Sequence, residues 1–230
     1  MGLLGHVLAL KAGKSYENLI KERVLIPLGM KNTTITISPT QQNTLTKGHD
    51  AAGIATSHWD IPTLAGAGAL RSSGEDMMLY LAANMGLNET PLSAAIELSH
   101  QYQHEFGSET LSIGLAWLTA KTPDGDMIWH NGGTGGYRSF IGFDKNKQVG
   151  VIVLANSQDD PDAIGRAVLT GKIEAVKMIS IEEISLSKKE LQTFTGEYQL
   201  AANFILTISE ADNNLFAQAT GQQKLPIFAK

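Results

Sequence analysis

Trp129-His-Asn-Gly-Gly-Thr-Gly-Gly-Tyr-Arg-Ser139 is the densest run of polar and glycine residues in the chain, and it stands between apolar segments. Leu115-Ala-Trp-Leu-Thr119 precedes it as a short strand-like run. Phe140-Ile-Gly-Phe143 and Val149-Gly-Val-Ile-Val-Leu154 follow it. These β-rich runs are separated by turn-forming Lys121-Thr-Pro-Asp-Gly-Asp126 and Asp144-Lys-Asn-Lys147 and predict consecutive antiparallel strands. One strand then carries His130, with Gly132, Gly133, Gly135 and Gly136 leaving backbone open beside it. Glycine weakens a strand interior and marks a place where a ligand or another backbone comes close. Sheet formation alone does not account for so many glycines in one strand.

On these residues the chain resembles the serine β-lactamase-like hydrolases, which include class C β-lactamases, D-alanyl-D-alanine carboxypeptidases and related esterases. His130-Asn-Gly132 stands where that family has a Lys-Thr-Gly or His-X-Gly triplet, on a sheet edge strand bordering the active site. The resemblance extends to Tyr16-Glu-Asn-Leu-Ile20, Pro27-Leu-Gly-Met-Lys-Asn-Thr33, Gly66-Ala-Gly-Ala-Leu-Arg-Ser-Ser73 followed by Asp76, and Val153-Leu-Ala-Asn-Ser157. It covers roughly residues 1 to 175, in the family's order. It implies acyl transfer by an activated serine, which needs a nucleophile, a base and donors aimed at the developing oxyanion. By the same resemblance the backbone N–H of Gly133 is one oxyanion donor, and His130 tunes the nucleophile–tyrosine network. Asn131, Gly132, Thr134, Tyr137, Arg138 and Ser139 would contact substrate. An imidazole can donate a hydrogen bond in either charge state. His-Asn-Gly in place of Lys-Thr-Gly leans toward esterase- or peptidase-like relatives. The alternative for His130 is a buried, satisfied histidine on a glycine-tight sheet edge.

The family also places a Ser-X-X-Lys nucleophile motif and a Tyr-X-Asn motif upstream of this region, and there the chain departs from it. In such proteins Tyr-Ser-Asn commonly runs directly into a segment like Gly2-Leu-Leu-Gly5, which here follows Met1. Ser185-Leu-Ser-Lys188 fits the first pattern literally, but downstream of the histidine strand. Tyr16-Glu-Asn18 fits the second, in surroundings that match a later helix of the family. A motif carries weight only in its structural context, so the expectation is a hydrolase without its nucleophile.

Composition narrows the classes. The chain of 230 residues is long enough for one large domain or one domain plus a small appendage. A net charge of −5 with no basic cluster argues against nucleic acid. The absence of cysteine excludes disulfides, thiol catalysis and cysteine-ligated metal. No apolar run reaches the roughly 18 residues that span a bilayer, and no signal-peptide pattern is visible, which leaves the compartment open.

In chain order, residues 3 to 12 read as a helix with Leu3, Leu4, Val7 and Leu8 on one face and Gly13 as its stop. Ser15 caps a second helix, with Leu19, Ile20 and Leu25 inward, that ends at Pro27-Leu-Gly29. Lys14-Ser15 after Gly13 matches the end of a phosphate-binding loop, but that loop needs glycine where Leu8 stands. Residues 31 to 65 look like a long irregular excursion, read either as a wall of the substrate cleft or as a solvated loop. Ser72 or Ser73 caps the next helix, with Glu75 or Asp76 completing a capping box, and Met77 and Met78 fill core. A helix over Leu92 to Tyr102 would place His100 on a face shared with His104. No third ligand accompanies them, so no metal is expected. Asp160-Pro161 opens a helix running to about Val176, with Ala163, Ile164, Ala167 and Val168 as its apolar face. Asp159, Asp160 and Asp162 lack the full oxygen loop that calcium requires.

The chain therefore reads as α+β: an antiparallel sheet flanked by helices, an incomplete β-lactamase-like fold, with a small C-terminal β-meander. Residues 1–179 form a partial serine β-lactamase-like domain and 180–190 a charged linker. Residues 191–230 form a meander that resembles the start of a lipocalin-like module. Two functions stand. One is the C-terminal portion of a serine hydrolase acting on esters, amides, peptides or β-lactams, inactive as this isolated chain and needing no cofactor. The other is a non-catalytic binding or interaction module. The resembled fold has further strands near its N-terminus, so an exposed sheet edge here would invite a homodimer.

Overall fold

Side-chain oxygens decide where several helices of this chain begin. Ser15 accepts from the Asn18 amide and Ser73 from the Asp76 amide, each at 3.2 Å. Ser38 and Ser187 close capping boxes with Gln41 and Glu190. Each cap satisfies amides that a first helical turn leaves open. The structure is a computed structural model and describes residues 1–123, 125–173, 184–201 and 203–229. It divides into two units, Met1–Val176 and Lys177–Lys230.

The first unit begins with α1 (Gly2–Ala12), α2 (Tyr16–Ile20), a π turn at Lys21–Leu25 and α3 (Ile26–Leu28). The π turn lies just before Pro27, whose ring would crowd the Arg23 carbonyl in a regular α-turn. The excursion follows, with α4 (Pro39–Gln42), the short antiparallel pair β1 (Gly48–His49) and β2 (Ala55–Thr56), and a 3-10 turn at Ala65–Ala67. Helices α5 (Gly74–Asn84) and α6 (Ser93–His100) lead into β3 (His104–Ser108), β4 (Leu111–Ile113), β5 (Leu118–Thr122), β6 (Gly125–Thr134), β7 (Tyr137–Asp144) and β8 (Val149–Ala155). These six strands form one antiparallel meander in chain order. The unit's last described helix is α7 (Asp162–Thr170), stopped by Gly171 in the left-handed region.

Period-two alternation gives this sheet two apolar faces. On one, Leu118, Met127, Trp129 and Phe140 pack with Leu169 of α7; on the other, Trp117 and Phe143 pack with Leu81 of α5. Full burial of a phenylalanine such as Phe140 or Phe143 contributes about 1.5–3 kcal/mol. Close approach of α7 depends on Gly165, since a Cβ there would lie 2.2 Å from the Phe140 ring. Alanine would raise helix propensity by about 1 kcal/mol, and overpacking at a contact that short costs more than that.

The second unit holds α8 (Lys188–Thr193) and an antiparallel meander of β9 (Gly196–Ala201), β10 (Phe204–Ala211), β11 (Asn214–Ala219) and β12 (Leu225–Ile227). Leu191 and Leu215 are its buried apolar side chains among the described residues.

Several expectations shift. Helix α1 buries Gly2, Gly5 and Ala9, not its leucines: Leu3 and Leu10 are 68% and 67% exposed, and Leu4, Val7 and Leu8 are exposed with them. Small residues let its backbone approach the Ala65–Ala67 turn, where a Cβ on Gly5 would lie 3.2 Å from Gly66 Cα. The strand expected at residues 115–119 is Leu118–Thr122. Ala116 turns the chain at φ 75°, and Leu115 instead donates its N–H to Ser99 at the end of α6. Asp76 completes no capping box, because its carboxylate is taken up elsewhere. The apolar face of α7 is the expected one in part: Ala167 is buried and Ile164 and Val168 are half-buried, but Ala163 is exposed and Gly165 and Leu169 are buried in addition. Asp160 accepts the Asp162 amide at 2.9 Å, so the Asp cap sits one residue before the helix's N-cap, Pro161. Residues 174–176, expected in that helix, and residues 180–183 of the expected linker lie outside the described residues. The rest of that linker includes the start of α8.

His100 and His104 do not share a helix, since α6 ends at His100 and His104 begins β3. The His100 imidazole instead packs edge-on against Trp117, tilts against Phe143, and places Nε2 3.0 Å from the buried Asn84 Oδ1. An amide oxygen only accepts, so Nε2 carries the proton. Burial, helped by the nearby Lys145 charge, lowers the His100 pKa to about 4. Between the ordinary value near 6.5 and 4, the unfolded chain takes up a proton at His100 that the folded chain refuses. His100 therefore favours folding fully above pH 6.5, and that contribution is lost as pH falls through the window to 4. An NMR titration should show His100 titrating near pH 4, with the thermal midpoint falling across the same window and falling less in H100Q. A titration midpoint near 6.5 would contradict this packing.

Candidate active site

Strand β6 outruns the strand before it. β5 pairs with it from Thr122↔Gly125 to Leu118↔Trp129, and from His130 to Thr134 β7 is its one paired strand among the described residues. The strand expected at a sheet edge is thus interior as far as Trp129 and an edge beyond it. His130, Asn131, Gly132 and Gly133 are all exposed on this extension. The hairpin closes through Gly135 and Gly136, the latter at φ 80°, a conformation that glycine adopts without the strain of a Cβ.

Alternation splits the expected site residues between two faces. His130 pairs with Ile141 and Gly132 with Ser139, on the face where Ile128 and Ile141 pack toward Leu81. Asn131 pairs with Phe140 and Gly133 with Arg138, on the α7 face. A Cβ on Gly132 would meet Ser139 Oγ at 2.8 Å, and one on Gly133 would strike the Arg138 guanidinium. The glycines therefore leave the room into which these two side chains fold. His130 Nδ1 lies 2.5 Å from the Asn131 carbonyl and donates to it. In the neutral ring that leaves Nε2 as an exposed acceptor. The structure thus holds His130 in solvent, and not as the buried, satisfied histidine of the alternative.

On the α7 face Asn131 Nδ2 donates to Asp162 Oδ2 at 2.8 Å, and Arg166 Nη2 reaches the same oxygen at 3.4 Å. The Arg166 guanidinium lies 4.4 Å from the Trp129 ring centroid, and Trp129 stacks on Phe140 at 5.7 Å. A buried carboxylate needs charged and hydrogen-bonding partners, and Asn131 and Arg166 supply them at Oδ2, while Oδ1 is buried without a partner. This clamp holds the strand extension where β5 no longer does. Sequence reasoning places Asp162 only among three acidic residues. Its true signal is the spacing of Asp162 and Arg166, four apart on one helix. Asp159 is bonded to Ser157, and no group able to hold a metal ion occurs among the described residues.

The excursion of residues 31–65 docks on the hairpin tip. Tyr137 gives its hydroxyl to the Thr46 carbonyl at 2.6 Å, His49 N–H reaches Gly136 and Asn156 carbonyls, and Asn156 Nδ2 donates to Lys47. A Cβ on Gly135 would lie 2.7 Å from the Trp59 indole nitrogen. Three charged side chains hold the excursion in place, Glu17 from α2, Asp76 from α5 and Arg71 from the segment before α5. Asp76 accepts from Lys31 and Asn32 amides and the Thr33 hydroxyl. Arg71 donates to Asp60 and the Trp59 carbonyl. Glu17 accepts from Thr34, Ile35 and Thr36.

The two literal matches to upstream motifs do not form a nucleophile site. In Ser185-Leu-Ser-Lys188 the serine, Ser185, lies exposed ahead of α8, the intervening Ser187 caps that helix, and Lys188 sits 3.7 Å from Glu210. Tyr16 packs its ring where a Cβ on Gly5 would be, and Glu17 is the excursion's anchor.

With this geometry in place, comparison with known proteins gives a consistent picture. Residues 1–174 match the family model described as Beta-lactamase. A beta-lactamase of Pseudomonas fluorescens is 27% identical over 187 residues, covering 68% of this chain and 52% of the relative. The D-alanyl-D-alanine-carboxypeptidase/endopeptidase AmpH of Escherichia coli K12 is 26% identical over 167 residues, covering 66% of this chain and 42% of that protein. The chain thus spans about half the length of the curated relatives it matches. Among solved structures, a beta-lactamase/D-alanine carboxypeptidase from Pseudomonas syringae shares the fold with a TM-score of 0.67 at 20% identity, over 77% of this chain and 58% of that one.

Burial pushes the Glu17 pKa up, but hydrogen bonds from the Thr36 amide, the Thr34 and Thr36 hydroxyls and the Ile35 amide outweigh it and bring it down to about 2. Replacing it in E17Q should cost about 1.5–3 kcal/mol in chemical denaturation, the range for hydrogen bonds to a charged group. It should also speed amide exchange at Ile35 and Thr36. Unchanged stability and exchange would show that the carboxylate does not anchor the excursion.

Proposed function

This chain belongs to the serine β-lactamase-like hydrolase family, and we propose that it supplies the sheet wall of an acyl-transfer cleft acting on esters, amides, peptides or β-lactams. The observation that carries this reading is the extension His130–Thr134, paired on one side and exposed on the other. In an extended strand successive amides point to opposite sides, so this segment has outward N–H groups free for a substrate carbonyl. Gly133 N–H is the oxyanion donor in this reading. A serine oxygen gives up its proton to a base and adds to the carbonyl carbon. The oxyanion, held by such preorganised donors, then collapses to expel the alcohol or amine, which takes up that proton. Water later hydrolyses the acyl-serine ester to free the acid and the serine. His130 Nε2, free as an acceptor, would exchange a proton or hydrogen bond with the nucleophile's network. Asn131 acts from the far face, with Asp162, to keep the strand straight.

The serine itself would lie in the part of such hydrolases that these residues do not span. One observation favours a second, non-catalytic reading for the chain by itself: in its one literal Ser-X-X-Lys the lysine, Lys188, sits 3.7 Å from Glu210, and the serine, Ser185, lies exposed ahead of α8. As a binding wall it would still hold substrate-like ligands without turning them over.

Incubation of the 230-residue protein with a fluorophosphonate or a penicillin should leave its intact mass unchanged. A D-alanyl-D-alanine peptide at millimolar concentration should shift amide resonances at residues 130–134. Stoichiometric acylation of any serine would overturn the inactive reading, and shifts confined to other segments would overturn the site.

A further inference from the structure

Asn131-Gly132 is the one Asn-Gly pair in the sequence. Asparagine is chemically labile, most of all before glycine, because no side chain then shields the following backbone nitrogen from the asparagine side-chain carbonyl carbon. Both residues are exposed, on the part of β6 that β5 no longer pairs. An extended strand keeps the Gly132 nitrogen out of reach of Asn131 Cγ, so the pair reacts when the strand end leaves that geometry, as unsupported strand ends do. The Asn131 amide itself prevents this. Its Nδ2 donates to Asp162 Oδ2 at 2.8 Å, and Asp162 is buried. The labile group is also the group that fastens the strand.

We propose that Asn131 is a self-modification site of this protein, held in check by Asp162, and that its conversion releases the strand end His130–Thr134. The Gly132 nitrogen gives up its proton to water and attacks Asn131 Cγ. The amide nitrogen takes up a proton and leaves as ammonia, which closes a cyclic imide. Water then opens the ring. Cleavage at Cγ leaves aspartate, and cleavage at the backbone carbonyl leaves isoaspartate, with the chain running through the former side chain. Either product sets a carboxylate near Asp162 where a donor stood. Like charges at that distance do not both ionise without cost. Asp162 Oδ1 is already buried without a partner, and Arg166 at 3.4 Å is the one cation paired with this carboxylate among the described residues. Isoaspartate also lengthens the backbone, which moves Gly132 and Gly133 out of register with Ser139 and Arg138. The step consumes water alone and does not reverse, so it acts as a timer on the strand. It stands on the geometry of the clamp and not on the reaction or ligand assigned to the cleft.

The test is peptide mapping by mass spectrometry of the folded 230-residue protein after incubation at mildly alkaline pH, with isoaspartate told from aspartate by fragmentation. Asn131 should convert before any other asparagine. In D162A it should convert about 10-fold faster than in the parent, from loss of a hydrogen bond to a charged acceptor. D162N keeps the shape without the charge and should also convert faster, and it carries the test if D162A does not fold. N131D made directly should lose amide protection between His130 and Thr134 at neutral pH, and the swap N131D/D162N should regain it. First conversion at another asparagine would overturn the proposal. So would Asp162 variants that convert no faster than the parent, an N131D strand as protected as the parent's, or a swap that leaves it unprotected.

Discussion

A strand in an antiparallel sheet has two sides to its backbone and two faces to its side chains, and β6 uses all four differently. Up to Trp129 both backbone sides are paired and both faces are packed. Past Trp129 one backbone side is open. The face toward α7 is closed by Asn131, Asp162 and Arg166, while His130 stands in solvent on the other. A loose strand end of this kind would fray. The clamp on one face and the docked excursion at the tip each remove freedom that the missing strand pair would otherwise have removed.

The excursion depends on the same economy of charge. Three charged residues, Glu17, Arg71 and Asp76, each gather backbone groups of a segment with little regular structure. An irregular segment has backbone donors and acceptors with no ladder to fill, and a carboxylate that takes several of them at once serves as a substitute. Tyr137 and Asn156 then join this segment to the strand ends. The region that borders His130 is therefore fixed from both directions, by the sheet and by the helices.

Much of this was legible in the sequence. The strand runs, their turns and the C-terminal meander follow from apolar runs broken by Asp, Asn, Gly and Lys, and the structure moves their ends by only a few residues. The family resemblance was carried by His130-Asn-Gly and the motif order. Helix α1 shows where pattern reading stops. Its leucines mark an apolar face, but the helix packs through Gly2, Gly5 and Ala9 because glycine permits backbone contact. The use of Asp76 and Glu17 was equally hidden, since a carboxylate that collects amides from a segment distant in sequence has no local pattern. Which neighbours of the histidine share its face was decided by strand register, and register is a property of pairing that one strand's sequence does not contain.

The central claim is that residues 130–134 form a held strand with one open side. Amide hydrogen exchange of the folded chain measures it residue by residue. Alternate amides between His130 and Thr134 should be protected as strongly as those of Met127–Trp129, with the intervening ones exchanging nearly as fast as in an unstructured peptide. Uniform protection along the segment, or uniform fast exchange, would contradict it.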